Sequence, residues 1–377
     1  MSIKVNTNFD AGNINCEAIN DPTNLRFTIP NDTNSEFAQW FYFQLTGIQG
    51  QELTLCLEQL NKTAYPQGWL DYNVCASYDN ETWFRIPCQY DQHNHTLSWS
   101  LTATSNAIFF AYFEPYSYQR HLNFIAKLNS SPLAIVEHIG LTACNNPVDL
   151  IRIGNHNAQQ KIWIIARQHP GETMAEWFME GLISRLIDQF DAISKVLREQ
   201  FEFYLVPNMN PDGSIMGNLR TNSTGTNLNR EWLNPSEELS PEVLAVRKLM
   251  LTTGVEMFFD IHGDESLPYI FTSGCADNKS FSAKQQHYEE KFETIFQQIN
   301  PDYQTTVGYP KNHFSLESPT IATKWVGNQF DCLAYTLEMP FKDNANLPSQ
   351  ATGWNGYRSK LLGASLLTAI HQFKYHI

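Results

Sequence analysis

The sequence predicts an α/β fold: a mixed, largely parallel sheet flanked by helices and preceded by an antiparallel β-sandwich. Two observations support this prediction. Short apolar runs separated by turn residues fill the stretch 26–118, and beyond it apolar runs alternate with segments of helical period. A chain of 377 residues is also too long for one ordinary core. We therefore expect an N-terminal domain over residues 1–117 and a second domain over residues 118–377.

The expected sandwich consists of short runs rich in aromatic and aliphatic side chains. Clusters of Gly, Asp and Asn separate these runs, as in antiparallel sandwiches. The runs are 37–45, 53–57, 72–76, 83–86, 97–101 and 108–113. The chain then changes to a helical spacing at Leu122, Ile125 and Leu128, which puts the boundary near Ser117. No Gly/Ser-rich linker lies there, so we expect the two domains to pack closely.

Composition narrows the class of protein. A formal charge of -14 argues against a general binder of nucleic acid or of anionic membranes. No apolar run approaches the roughly 20 residues of a membrane span, and the first residues lack the apolar core of a signal peptide. We expect a cytoplasmic protein. Its seven dispersed cysteines, with no Cys-x-x-Cys pair, are expected to be reduced and buried.

The second domain is organised around residues 161–176, where an apolar run ends in a polar turn. The run 162–166 is short and rich in β-branched side chains, which fits a buried central strand. The turn His169-Pro-Gly-Glu172 precedes apolar residues at helical spacing. Its histidine would end a strand and its glutamate would open a helix, where both could hold one metal ion. The alternative is a helix start whose carboxylate favours the helix dipole.

Three further apolar runs are expected to be strands of the same sheet: 201–207, 255–264 and 332–340. A strand, a helix and a strand in this order imply a right-handed crossover. The second run carries His262 near its end and Asp260 on the same face, where the carboxylate could orient the imidazole or simply pair with it. The last run contains Glu338, and a carboxylate is costly to bury there unless it is paired or functional.

The chain resembles zinc carboxypeptidases of the carboxypeptidase A superfamily, because six short motifs follow one another in the order found there. The motifs are His169-Pro-Gly-Glu172, Asn210-Pro-Asp-Gly213, Gly217-Asn-Leu-Arg220, Asn227-Leu-Asn-Arg230, Asp260-Ile-His-Gly263 and Tyr335-Thr-Leu-Glu338. The His-Pro-Gly-Glu-Thr form and the N-terminal β-rich stretch resemble the cytosolic carboxypeptidase subfamily in particular. The likeness covers nearly the whole chain, and its specificity lies in the joint pattern.

The resemblance implies a metallocarboxypeptidase that hydrolyses the C-terminal peptide bond of peptides or protein tails. It implies one zinc ion per chain, held by His169, Glu172 and His262, and it implies Glu338 as general base. Two imidazoles and one carboxylate leave zinc a fourth position for a water molecule. Zinc lowers the pKa of such a water towards ~7.

Three more residues are implied to act on the substrate. Arg220 would polarise the scissile carbonyl, and Asn229 and Arg230 would bind the terminal carboxylate. A planar guanidinium suits a carboxylate better than an ammonium does. An acidic protein with two arginines at the mouth of a site also needs an anionic partner for them.

Two features depart from the subfamily pattern. Asn227 stands where an acidic residue usually supports a zinc-ligand histidine, so the amide oxygen or Asp260 would have to substitute for it. The tyrosine that many carboxypeptidases close over the substrate has no secure counterpart. Tyr309 is the candidate, and the alternative is an ordinary loop tyrosine.

The resemblance further suggests a preference for acidic C-terminal residues, such as glutamates of polyglutamylated tails. Lys324 is the candidate basic group, although its spacing to Glu338 is two residues shorter than the family pattern leads us to expect. A solvated surface lysine is the alternative. Two other functions stay open: a deacylase of N-acyl amino acids, and a peptide-binding module without catalysis. The N-terminal domain argues against the first, and retention of Glu338 argues against the second.

Overall fold

The structure is a computed structural model that describes residues 2–310, 313 and 318–377. Its first part consists mainly of strands joined by loops and 3-10 turns. The strands are β1 (Lys4–Asn6), β2 (Asn15–Ala18), β3 (Leu25–Thr28), β4 (Tyr42–Thr46), β5 (Glu52–Leu57), β6 (Val74–Ser77), β7 (Phe84–Ile86), β8 (Gln89–Asp91), β9 (Thr96–Thr102) and β10 (Ala107–Ala111).

These strands form two five-stranded sheets that pack face to face. Their orders are β1-β4-β10-β6-β7 and β2-β3-β5-β9-β8. Aromatic rings meet between the sheets: the centroids of Phe27 and Phe43 are 4.9 Å apart, and those of Trp99 and Phe110 are 5.6 Å apart. β3 and β5 run parallel, whereas the other described pairs are antiparallel. The predicted sandwich is confirmed, with one parallel pair that the sequence does not reveal.

The second part alternates helices and strands. Its elements are α1 (Tyr118–Asn129), β11 (Ala134–Leu141), β12 (Pro147–Gly154), β13 (Lys161–Ala166), α2 (Met174–Leu186), α3 (Ala192–Gln200), β14 (Glu202–Val206), α4 (Pro211–Met216), α5 (Pro241–Thr253), β15 (Met257–Asp264), β16 (Phe271–Ser273), α6 (Ala283–Ile299), α7 (Ala322–Phe330), β17 (Leu333–Pro340) and α8 (Gly356–Phe373). Among the helices described, none has the length and apolar content that crossing a bilayer requires.

The strands of the second part form one seven-stranded sheet in the order β11-β12-β14-β13-β15-β17-β16. The four central strands, β14, β13, β15 and β17, run parallel. They are the four strands that the apolar runs predict, so the largely parallel sheet is confirmed. The antiparallel edge strands β11, β12 and β16 are missing from the sequence prediction.

Helices cover both faces of this sheet, which explains why the central strands are apolar throughout. Ile162 and Ile164 of β13 share a core with Phe178 of α2 and with α8. Trp163 and Ile165 face the opposite side, where α5 and α7 contribute the core. β13, β15 and β17 are neighbours in the sheet, so polar residues at their carboxyl ends lie at one edge, as ligand sites of α/β sheets do.

The two parts of the chain contact each other through polar and aromatic side chains. Nη2 of the buried Arg85 donates to the carbonyl oxygens of Phe341, at 2.7 Å, and Trp354, at 3.2 Å. The ring of Tyr112 stacks on that of Phe341, with centroids 4.7 Å apart. The hydroxyl of Ser117 caps α1 directly after the sandwich. The segment between the sheets and α1 is therefore held in place by hydrogen bonds.

The cysteines depart in part from expectation. Cys75, Cys275 and Cys332 are buried, as expected of small apolar side chains. Cys16 and Cys144 are exposed and Cys56 and Cys88 are half-buried, so the expectation that all seven are buried is wrong for these four.

Candidate metal centre and active site

The corner between β13 and α2 is fixed by a buried arginine and by a close contact. Arg167 adopts a positive φ of 59°, and its guanidinium donates to the carbonyl oxygen of Pro170 and to Glu176. A Cβ atom on Gly171 would come within 2.9 Å of the Cα atom of Leu219. Only glycine fits without displacing that backbone. The turn that carries His169 and Glu172 is therefore rigidly held from both sides.

Three buried side chains converge at the carboxyl ends of β13 and β15. Nδ1 of His169 lies 2.6 Å from Oε1 of Glu172, and Nδ1 of His262 lies 2.7 Å from Oε2 of the same carboxylate. One ligand atom of each residue lies within 4.8 Å of the other two. All three side chains are at least nine-tenths buried. The structure thus brings together the three residues that the sequence names as metal ligands.

The far side of each imidazole is also occupied. Nε2 of His169 lies 3.0 Å from Oδ1 of Asn227, and Nε2 of His262 lies 2.9 Å from Oδ2 of Asp260. The side-chain amide of Gln168 donates to the same Asp260 oxygen at 2.7 Å. An amide oxygen therefore supports one histidine and a carboxylate supports the other. Both substitutes that the sequence leaves open are used, each on a different imidazole.

This donor set fits zinc. Two imidazole nitrogens and one carboxylate are the ligands of zinc in several hydrolytic sites, with one position left open. Burial favours the neutral form of Glu172, but His169 and His262 outweigh it and lower the pKa of that carboxyl. Burial lowers the pKa of His169 to about 4, which favours the neutral imidazole that a metal ion needs, whereas Asp260 and Glu172 outweigh burial at His262 and raise its pKa. A hydrogen-bonded cluster without a metal ion is the alternative explanation of the contacts between both Nδ1 atoms and Glu172.

Glu338 stands beside this cluster, opposite His262 in the pairing of β15 with β17. Its Oε1 lies 2.9 Å from the hydroxyl of Tyr309, which also lies 2.9 Å from Oδ2 of Asp264. Its Oε2 is buried and has no hydrogen-bond partner among the described residues. Burial, reinforced by the charges of Glu172 and Asp264, raises the pKa of Glu338 to about 8. A dication bound beside it would lower that pKa.

One cavity of about 570 Å³ contains this cluster and most of the other predicted residues. Arg220, Asn229, Arg230 and Tyr309 line it together with the metal-ligand candidates and Glu338. Oδ1 of Asn229 accepts from the backbone N–H of Ala322 at 2.9 Å, which fixes the orientation of its amide. Two guanidinium groups and several carboxyl groups therefore line the same cavity.

Lys324 lies apart from that cavity. It belongs to α7 and is only 3% exposed, so a solvated surface lysine is not what the structure contains. Its Nζ donates to the carbonyl oxygen of Gly274 and lies 3.6 Å from Oδ2 of Asp277. It lines a second cavity of about 370 Å³, and Tyr309 lines both cavities. The tyrosine therefore stands between the metal cluster and the lysine.

Several lining residues of the active-site cavity are missing from the sequence prediction, and two of them are Tyr65 and Glu265. Tyr65 reaches the cavity from a loop of the N-terminal part, and Glu265 follows β15. Burial and the charge of Glu172 raise the pKa of Glu265 well above its ordinary value. No local pattern marks Tyr65, because its position depends on packing between distant parts of the chain. Glu265 follows the motif Asp260-Ile-His-Gly263 closely, and that proximity is the only signal that could have found it.

The fold and the site together define a metal-dependent hydrolase with an arginine-lined substrate cavity. Residues 121–355 match the family model described as zinc carboxypeptidase, and residues 5–113 match the one described as cytosolic carboxypeptidase N-terminal domain. The chain belongs to the zinc carboxypeptidase family and is a metallocarboxypeptidase. The resemblance drawn from the six motifs is thereby confirmed.

Similar proteins that are named as carboxypeptidases support this family assignment. A metallocarboxypeptidase from Burkholderia cenocepacia is 45% identical and superposes with a TM-score of 0.97 over 100% of both chains. A metallocarboxypeptidase from Pseudomonas aeruginosa, solved in complex with (2-guanidinoethylmercapto)succinic acid, is 40% identical with a TM-score of 0.95 over 99% of both chains. Cytosolic carboxypeptidase 6 of Caenorhabditis elegans is 25% identical over 92% of this chain and 82% of its own length.

Proposed function

We propose that this enzyme removes single residues from the C-termini of peptides or protein tails, with one zinc ion held by His169, Glu172 and His262. The observation that supports this most is the convergence of three buried ligand atoms within 4.8 Å in the same cavity as Glu338 and Arg230. Binding alone needs no unpartnered carboxylate beside a metal ligand set. Hydrolysis needs one as a base.

Glu338 is proposed to move the proton. Bound zinc would supply a Lewis acid that acidifies a water molecule and polarises the substrate carbonyl. Glu338 then takes a proton from the attacking water and delivers it to the leaving amine. Tyr309 holds Oε1 of the carboxylate, which leaves the unpartnered Oε2 as the oxygen that accepts the proton.

The two arginines are proposed to bind different groups of the substrate. Arg230 and Asn229 bind the terminal α-carboxylate, and this makes the enzyme an exopeptidase. Arg220 stabilises negative charge that develops on the scissile carbonyl oxygen, so it acts mainly in the transition state. In this proposal Arg220 interacts with the scissile carbonyl, and Asn229 and Arg230 interact with the terminal carboxylate.

The side chain of the C-terminal residue is proposed to enter the cavity lined by Lys324. An ammonium group at its wall supports a preference for Glu, because an ion pair gains strength in a desolvated pocket. This preference would make the enzyme a deglutamylase of acidic tails. The overall charge of -14 repels acidic tails at long range, so the preference has to come from this short-range pairing.

A basic C-terminal residue is the second candidate, and the same cavity favours it. Asp277, Glu289 and Glu293 line the cavity beside the single lysine. Burial raises the pKa of Glu289 to about 7 and also raises the pKa of Glu293. A cationic substrate side chain in this cavity would lower both pKa values again, because it favours the charged carboxylates. The compound in complex with the Pseudomonas relative carries a guanidino group, as a basic arginine side chain does, and this supports the second candidate.

Two further proposals concern the whole chain. Residues 1–117 are proposed to form one domain and residues 118–377 the catalytic domain, because Ser117 caps the first helix after the sheets. The name of the Caenorhabditis relative, a cytosolic carboxypeptidase, supports a cytoplasmic location.

Peptides that share one sequence and differ only at the last residue test the proposed function. Each is prepared as the free acid and as the C-terminal amide, with N-acyl glutamate as a small substrate. We expect cleavage of the acids and none of the amides, because Arg230 requires a free α-carboxylate next to the scissile bond. We expect little cleavage of N-acyl glutamate, because it has no residues upstream of the scissile bond for the rest of the cavity to bind. Equal cleavage of acids and amides would reject the carboxylate clamp, and preferred hydrolysis of N-acyl glutamate would favour a deacylase.

A further inference from the structure

The loop that carries Arg220 is held by a carboxylate from the N-terminal loop between β3 and β4. Oδ1 of Asp32 accepts from the backbone N–H of Leu219 at 2.7 Å. Its Oδ2 accepts from the backbone N–H groups of Arg220, at 2.7 Å, and Thr221, at 3.1 Å, and from the Thr221 hydroxyl at 3.3 Å. Asp32 is only 4% exposed. Both oxygens are thus committed to one three-residue stretch that lies almost 190 positions further along the chain.

Residues next to Asp32 extend this contact. The backbone N–H and hydroxyl of Thr33 donate to Oδ1 of Asn218 at 3.0 and 3.1 Å. The side-chain amide of Asn34 donates to the carbonyl oxygen of Ser223 at 2.9 Å. The whole loop is therefore hydrogen-bonded to one N-terminal turn, with Asp32 at its centre.

The guanidinium of Arg220 is held from the same side. Its Cζ lies 5.4 Å from the ring centroid of Phe37 and 5.6 Å from that of Tyr65. Gln39 fixes Tyr65 by accepting from its backbone N–H at 2.8 Å and donating to its carbonyl oxygen at 3.2 Å. Aromatic faces attract a guanidinium by cation–π interaction, and rigid ones restrict where it can lie. The backbone and the guanidinium of Arg220 are thus both positioned by loops of the N-terminal part.

The burial of Asp32 needs an explanation. A buried carboxylate is costly unless it is well hydrogen-bonded, and among the described residues no cation forms an ion pair with it. Three backbone N–H groups that point at one carboxylate are a strong set of donors. The carboxylate contributes nothing to the apolar core of the sandwich, so its interactions go entirely to the Arg220 loop. The same loop abuts the metal corner, since the N–H of Gly171 donates to the carbonyl oxygen of Leu219 at 2.8 Å.

We propose that Asp32 is a positioning residue for Arg220, and that loops of the N-terminal part complete the active site by fixing this one side chain. The inference rests on the proposed role of Arg220 in the transition state. It predicts that loss of the Asp32 carboxylate lowers turnover and leaves substrate binding and zinc content nearly unchanged. If Asp32 only stabilises the contact between the two parts of the chain, its loss should lower stability without a specific loss of turnover.

A matched variant separates these two explanations. Asp10 is a half-buried N-terminal aspartate whose carboxylate accepts the backbone N–H of Tyr118, at the start of α1 in the catalytic part. Among the bonds described, its carboxylate makes none to the Arg220 loop. Asp10→Asn therefore controls for the loss of a half-buried carboxylate that holds the two parts together.

The test measures kcat, KM, zinc content and thermal midpoint for Asp32→Asn, Asp10→Asn, Arg220→Ala and the double variant Asp32→Asn/Arg220→Ala. We expect Asp32→Asn to lower kcat roughly 10- to 100-fold, as small misplacements of a catalytic group do. KM should change less than about threefold, since Arg220 acts after binding. Asp10→Asn should keep kcat near the parent value. The double variant should turn over no more slowly than Arg220→Ala alone, because the two residues act as one unit.

Three outcomes would overturn the inference. Asp32→Asn could lower kcat no more than Asp10→Asn, or it could slow the Arg220→Ala enzyme as strongly as the parent; in either case Asp32 does not act through Arg220. If Arg220→Ala itself kept the parent kcat, the proposed role of Arg220 would fail and the inference with it. Should Asp32→Asn not fold, Asp32→Glu replaces it, which keeps the charge and moves the carboxylate by one methylene. It is expected to show the same loss of kcat in weaker form.

Discussion

The hydroxyl of Tyr309 lies 2.9 Å from Oε1 of Glu338, so the tyrosine occupies one oxygen of this carboxylate and leaves the other free to react. A phenol has one proton to donate, and the same hydroxyl lies equally close to Asp264. When the hydroxyl donates its proton to Glu338, it cannot donate to Asp264 at the same time. The protonation of Glu338 is thus tied to a hydrogen-bond network around Tyr309, as expected for a residue that exchanges a proton during the reaction.

Glu338→Gln is the direct test of this carboxylate. The amide keeps the shape and can still accept from Tyr309, but it cannot take a proton from water. We expect turnover to fall by at least ~10²-fold, with zinc retained in elemental analysis. Glu242→Gln is a matched control, because this glutamate is also buried and burial also raises its pKa, but it lies on α5, outside the active-site cavity. Activity near the parent level in Glu338→Gln would assign the base to another residue.

Zinc binding is tested by His262→Ala. The parent enzyme should contain about one equivalent of zinc, and chelation should remove it together with activity. The variant loses one of three ligands and should contain far less metal. His93→Ala removes an exposed histidine of the N-terminal sheets and serves as the control. Near-stoichiometric zinc in His262→Ala would reject this ligand set.

A buried histidine predicts how stability depends on pH. Nδ1 of His121 lies 2.6 Å from Glu176, and its Nε2 lies 2.9 Å from Asp149. Burial lowers the pKa of His121, but the two carboxylates outweigh burial and raise it from 6.5 to about 9. The protonated form is therefore stabilised by folding. Its contribution is complete below pH 6.5, decreases as the pH rises, and is lost above about 9.

The expected size follows from the shift. Two and a half pH units at about 1.4 kcal/mol per unit give a loss of free energy of unfolding on the order of 3 kcal/mol. Denaturant unfolding of the parent and of His121→Gln, at pH 6 and pH 9.5, measures it. The difference between the two proteins should shrink at the higher pH. A difference independent of pH would mean that His121 is neutral when folded.

The sequence predicts the centre of the site better than its walls. His169, Glu172, His262 and Glu338 stand at the ends of apolar strands, where strand pairing brings them together. Local pattern predicts that such residues lie at one edge of the sheet, and the resemblance of the six motifs predicts their roles. Asp32 carries no such signal, because its role depends on a loop almost 190 positions away.

The edge of the sheet was harder to predict for a related reason. β11 has no buried residue, and the largely buried β12 is interrupted by Asp149 and Arg152, so both lack the continuous apolar run that identifies a central strand. Lys324 shows the limit of composition: a lysine on a short helix is usually solvated, and only the packing of α7 against the sheet buries it.

The last prediction concerns the preference between acidic and basic C-terminal residues, which depends on the balance of charges around Lys324. Rates are measured for peptides that end in Glu, Lys and Phe, with the parent enzyme, with Lys324→Met and with Lys324→Glu. We expect the parent to prefer Glu, Lys324→Met to lose that preference while keeping comparable activity on Phe, and Lys324→Glu to weaken or invert the order. The methionine variant keeps much of the length of the side chain, so it separates the loss of charge from the loss of packing. If the parent instead prefers Lys, the carboxyl groups of Asp277, Glu289 and Glu293 determine the specificity, and the acidic preference is wrong. The zinc mechanism would stand in that case, because none of these residues lines the metal cavity.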